Sequence, residues 1–127
     1  MQPLRLKWVW SALGACLIGG VVVLCLLPAR DLPALSVSDS FEHAAAYLAL
    51  MLWFAGLAKS SHWLQVASAL FVLGTGLEWL QGAMALGRIA DPRDVVANSL
   101  GIALGIAFAH AGLGGWMGWV EAKALRL

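Results

Sequence analysis

Residues 8–27 read WVWSALGACLIGGVVVLCLL, twenty consecutive residues without a charge. A helix rises about 1.5 Å per residue, so this stretch spans about 30 Å, the thickness of a bilayer's hydrocarbon core. Arg5 and Lys7 precede it, and Pro28 and Pro33 follow it. The apolar core of a cleaved signal runs only about 7–15 residues. The segment therefore reads as an uncleaved signal-anchor helix.

Three more apolar runs follow. The expected helices are about 8–27, 42–58, 63–83 and 92–112, with 114–127 as an interfacial tail. Helix two is the weakest of them. Its uncharged run, Ala44 to Ala58, gives only about 22 Å of helix, so it must take in Glu42 and His43 to span. The fold class that results is an all-α membrane protein, a bundle of four transmembrane helices forming one domain over residues 1–127.

Composition agrees. The 127 residues are 61% hydrophobic and 12% charged, against about a quarter charged in soluble domains. So small a soluble protein has too little interior to hide this much apolar surface. A net charge of +1 gives no basic field for nucleic acid, and no nucleic-acid partner is expected. Cys16 and Cys25 lie about 13 Å apart on the first helix, too far for a disulfide between them.

Lysine and arginine place both termini in the cytoplasm. Arg5, Lys7, Lys59, Lys123 and Arg126 then lie inside, and Arg30, Arg88 and Arg93 outside. Trp8, Trp10, Trp63, Trp116 and Trp119 form an interfacial belt on the terminal side.

The remaining polar residues converge. Asp39, His43 and Tyr47 follow i, i+4, i+8; Glu78 and Gln81 follow i, i+3; Asp94, Asn98 and Gly101 follow i, i+4, i+7. Each set shares one helix face, and all three approach the outer side at similar depth. Charge inside a bilayer is costly and turns toward protein or a wet cavity. The spacing predicts an outward-opening polar pocket between helices two, three and four. His43, Glu78 and Asp94 are its candidate acid-base groups, and Asp39, Tyr47, Gln81, Arg88 and Asn98 its candidate binding groups.

Each residue also has a structural reading. Asp39 with Glu42, and Asp91 with Pro92, fit helix starts. Asn98 could be an interhelical hydrogen bond, Tyr47 a packing aromatic, and Glu78 a partner of Arg88 or His43. Gly101, Gly105 and Ala109 form a small-residue ridge that permits close packing, and a homo-oligomer through it is an expectation. No metal or cofactor is expected. There is no His-Glu-x-x-His motif, and His43, Glu78 and Asp94 would have to meet from three helices.

Three blocks carry a resemblance: Asp39-Ser40-Phe41-Glu42-His43 with Tyr47; Glu78-Trp79-Leu80-Gln81; and the run from Gly87 through Asp91-Pro92-Arg93-Asp94 to Asn98 and Gly101. Together they resemble the VanZ-like family, over roughly Asp39 to Gly105. Ser40 stands where many members carry lysine. The resemblance implies a multi-pass protein of the bacterial inner membrane. The family takes its name from a protein linked to resistance to the glycopeptide teicoplanin, and brings no settled activity.

Two functions follow as expectations. One is binding or processing of an anionic or glycan-bearing envelope lipid, with Arg88, aided by Arg93, on phosphate. The other is a non-catalytic accessory role in which the polar network fixes helix packing or binds a partner. Transport fits less well, because the inner half of the bundle is nearly all apolar.

Overall fold

The structure is a computed structural model and describes residues 2–27, 40–84 and 91–125, together with the backbone alone at residue 39. Every regular element among the described residues is helical. The order is α1 (Lys7–Leu26), α2 (Asp39–Leu57), α3 (Trp63–Ala83), α4 (Pro92–His110) and α5 (Trp116–Ala124). Short 3-10 turns, Ser60–His62 and Leu113–Gly115, join α2 to α3 and α4 to α5. The chain is an all-helical membrane protein. α1, α2 and α3 are each long and apolar enough to cross a bilayer, and α4 with α5 passes the same test across an 84° bend.

α2 starts at Asp39 rather than near Glu42, which lengthens it to 19 residues. That is about 28 Å of helix, close to the thickness the shorter run could not reach. α4 starts as its sequence suggests. Asp91 is the cap, its carboxylate accepting from the Arg93 N–H at 2.9 Å, and Pro92 opens the first turn.

The surface distribution is that of a protein dissolved in lipid. Leu64 is 73% exposed and Trp79 71%, while Glu78, Gln81, Asp94 and Asn98 are buried. Apolar outside and polar inside is stable only where the solvent is hydrocarbon. α1 is the least covered helix, with Gly14 its buried residue.

The core is built on α2 and α4, whose contact is the most extensive of any helix pair. Tyr47, Leu50, Met51 and Ala55 of α2 pack with Ile102 and Ala109 of α4 and with Trp63 and Leu70 of α3. The Gly101, Gly105, Ala109 ridge faces α2 of the same chain. A Cβ at Gly101 would run into the Ala44 carbonyl oxygen, and one at Gly105 would lie 2.6 Å from Met51 Cβ. The ridge read as an oligomer surface is thus taken up within the chain, because it is the face on which α2 comes closest.

The tail also differs from a simple interfacial segment. Gly112, at φ 124°, makes the turn out of α4 that residues with a side chain rarely adopt. α5 then packs on the ends of α1 and α2. Glu121 is buried there and accepts from the Arg5 N–H (2.7 Å), the Leu6 N–H (2.8 Å) and the Trp10 indole (2.8 Å). Gln2 Nε2 donates to the carbonyls of Ala55 and Gly114, each at 2.8 Å. Of the belt tryptophans, Trp8 and Trp119 are exposed. Trp10 and Trp116 instead stack edge-on with each other and with Trp53, which the belt did not include, with centroids 5.3–5.7 Å apart. Trp116 donates to the Leu52 carbonyl and Trp63 to those of Ala55 and Ala58, which α2 leaves unpaired at its end.

Burial pushes the Glu121 carboxyl up. The Arg5 and Leu6 N–H groups, the Trp10 indole and the Arg5 charge outweigh this and hold it below the ordinary carboxylate range. A lowered folded value stabilises the fold in full above the unfolded value, and that contribution is lost as pH falls through the folded value. Glu121→Gln, which cannot accept from all three donors, should lower Tm in detergent at pH 7. The gap to wild type should narrow as the pH is taken below the ordinary carboxylate range. An equal gap at pH 7 and at strongly acidic pH would assign the effect to packing instead.

Candidate functional site

The opposite end of the bundle gathers the intramembrane polar groups. His43 sits one turn into α2, Asp94 in the first turn of α4, Asn98 one turn further on, and Glu78 near the end of α3. Asn98 Oδ1 lies 3.0 Å from His43 Nδ1, and Asp94 Oδ2 lies 3.6 Å from His43 Nε2. With the amide oxygen as acceptor, Nδ1 carries the proton. Glu78, 4% exposed, accepts the Asp91 N–H at 2.7 Å and so also holds the start of α4. One ligand atom each from His43, Glu78 and Asp94 lie within 4.8 Å of one another.

The other candidates separate. Gln81, 1% exposed, turns to α1 and donates to the Cys25 carbonyl at 2.7 Å. It ties α3 to α1 rather than joining the cluster, since i+3 from Glu78 leaves room for a different neighbour. Arg88 and the Asp39 side chain lie outside the described residues. Arg93 is exposed. It lines a shallow, mostly apolar depression with Ser40, Pro92, Val96, Ala97 and Leu100.

Tyr47 is 1% exposed, and its hydroxyl has no hydrogen-bond partner among the described residues. It lies beside Gly74 on α3, one turn deeper than Glu78 on the same face. A Cβ on Gly74 would lie 3.1 Å from Tyr47 Oη and 2.7 Å from Asn98 Nδ2. Gly74 was not singled out in the sequence, yet its missing side chain is the space those polar atoms occupy. The signal for it was its i−4 spacing from an intramembrane carboxylate.

An unsatisfied buried hydroxyl costs about 1–3 kcal/mol. Tyr47→Phe should therefore unfold at the same temperature as wild type or higher. A clear fall in Tm would mean that the hydroxyl is paired with a group beyond the described residues.

The sequence profile described as VanZ/LLP1 matches residues 10–123, nearly the whole chain. This chain belongs to the VanZ/LLP1 family. The match extends the resemblance seen in three blocks to α1 and α5. No curated protein and no solved structure gives a match. In this VanZ/LLP1 protein the candidate chemistry lies in the side chains of the polar cluster. A histidine and two carboxylates within 4.8 Å of one another, with a carboxamide 3.0 Å from the histidine, can hold or move a proton, ligate a cation, or pair with a polar headgroup inside a membrane bundle.

Proposed function

We propose that this protein acts in the bacterial inner membrane, both termini cytoplasmic, by binding or processing the headgroup of an anionic or glycan-bearing envelope lipid. Through that lipid it would affect susceptibility to glycopeptides such as teicoplanin. The observation that carries the reading is the meeting of His43, Glu78 and Asp94 from three helices at one end of an otherwise apolar bundle. A polar cluster at the end of a membrane bundle is where a lipid headgroup would be met. Arg93 and the depression beside it, lined by Val96 and Leu100, offer a cation and an apolar groove suited to phosphate and acyl chain.

The test is lipid mass spectrometry on protein purified in mild detergent, wild type beside His43→Asn and Glu78→Gln. The expected result is one anionic or glycan-bearing lipid enriched over the bulk membrane with wild type and lost with both variants. The same bulk lipids on all three would sink the proposal.

The accessory reading has its own supporting observation. Glu78 and Gln81 each bond to backbone groups of other segments, the Asp91 N–H and the Cys25 carbonyl. Such bonds fix helix positions without chemistry. On that reading the variants lower Tm and leave both the lipid profile and teicoplanin susceptibility unchanged.

A further inference from the structure

We propose that His43, Glu78 and Asp94 bind a divalent transition-metal ion of the zinc class, with one coordination position left for water or a ligand oxygen. The objection at the level of sequence was that the residues lie on three helices. The fold removes it, since one nitrogen and two carboxylate oxygens lie within 4.8 Å of one another.

The histidine geometry favours an ion. Asn98 Oδ1 accepts from Nδ1–H, so Nε2 presents its lone pair to the Asp94 carboxylate at 3.6 Å. A neutral Nε2 with its lone pair directed at a carboxylate oxygen is the form in which histidine ligates a metal. Zinc bonds to nitrogen and carboxylate oxygen are about 2.0–2.2 Å, which puts neighbouring tetrahedral ligands about 3.3–3.6 Å apart. The His43–Asp94 separation is already close to that edge, and small side-chain rotations would bring Glu78 in.

Ligating histidines usually donate their second nitrogen to an oxygen, which fixes the tautomer, and ligating carboxylates are themselves hydrogen-bonded. Asn98 fills the first role, and the Asp91 N–H on Glu78 the second. The buried Tyr47 hydroxyl lies at the Gly74 gap that Asn98 also borders, a polar group in reserve beside this shell. Three protein ligands with an open position is the arrangement of catalytic rather than structural zinc.

This goes beyond the headgroup reading and does not depend on it. The test therefore uses full-length, tag-free, delipidated protein, dialysed against zinc and desalted. Bound metal is measured by mass spectrometry, and a second sample is loaded with cobalt(II). The expected result is about one zinc per chain for wild type and for His62→Ala, whose histidine is exposed at the other end. His43→Ala should lose it. Asn98→Ala, acting on the position of the His43 ring, should bind roughly 10–100-fold more weakly. Cobalt in the wild type should give the intense visible bands of a tetrahedral site, a readout that requires no variant to fold.

The proposal is overturned if wild type holds no more zinc than His43→Ala, if His62→Ala is the variant that loses it, or if cobalt gives no tetrahedral spectrum. A doubly protonated His43 paired with Asp94 would produce the first and third of these results. Metal binding without lipid enrichment would leave the ion in place and remove only the headgroup reading.

Discussion

Gly101→Ala should destabilise the bundle by about 1–3 kcal/mol, and Gly101→Val by more. The added Cβ runs into the Ala44 carbonyl oxygen and lies 3.0 Å from both the Ala44 carbonyl carbon and the Leu48 amide nitrogen. All of these are backbone atoms, so no side chain can swing aside and the helices themselves must separate. Gly105→Ala meets Met51 Cβ at 2.6 Å and Cγ at 2.8 Å. Cγ can rotate and Cβ cannot, which places its cost between neutral and that of Gly101→Ala. Gly76→Ala meets nothing within 4 Å and is the control; better helix propensity should leave it neutral or slightly stabilised. Thermal unfolding in one detergent ranks the set, and a Gly101→Ala protein that melts with wild type would show that α2 and α4 are not in close contact. The effect reaches the site as well. Ala44 follows His43, and Asn98 is one turn from Gly101 on α4. Pushing α2 from α4 at that point lengthens the 3.0 Å contact between His43 and Asn98. Site-dependent readouts should therefore fall further than the loss of stability alone would cause.

The same glycine marks what could be read in the sequence. Hydropathy identifies the apolar runs because the bilayer fixes their length. Helical periodicity identifies a face, and so put His43, Glu78, Asp94 and Asn98 on faces that could meet. A face does not name its neighbour. The Gly101 ridge suits a partner in the same chain or in another, and only the fold assigns it to α2. Gln81 shares a face with Glu78 and still bonds to α1. Glu121 and Gln2 carry no sequence signal for a related reason. Polar residues near a terminus read as solvated, and nothing local tells of a partner more than a hundred residues away. The tryptophans misled in the same way, since an indole at a membrane boundary serves equally as an anchor or as a donor to a helix-end carbonyl. Gly74 lay hidden because an absent side chain has no pattern until its neighbours are known.

Glu78 should divide structure from function. It is a buried carboxylate within α3, and it accepts the Asp91 N–H at 2.7 Å where α4 begins. Gln keeps a carbonyl oxygen for that N–H and nearly the same volume. Ala leaves the N–H without an acceptor, which costs about 1–3 kcal/mol, and opens a cavity as well. Glu78→Ala should therefore melt well below wild type, and Glu78→Gln close to it. The two should be alike in function, because both remove the negative charge. If the cluster holds a cation or a headgroup, Glu78→Gln should fold normally and still lose zinc, co-purified lipid, and any effect on teicoplanin susceptibility. If the carboxylate serves only as an acceptor for α4, Glu78→Gln should match wild type in every assay and only Glu78→Ala should fail.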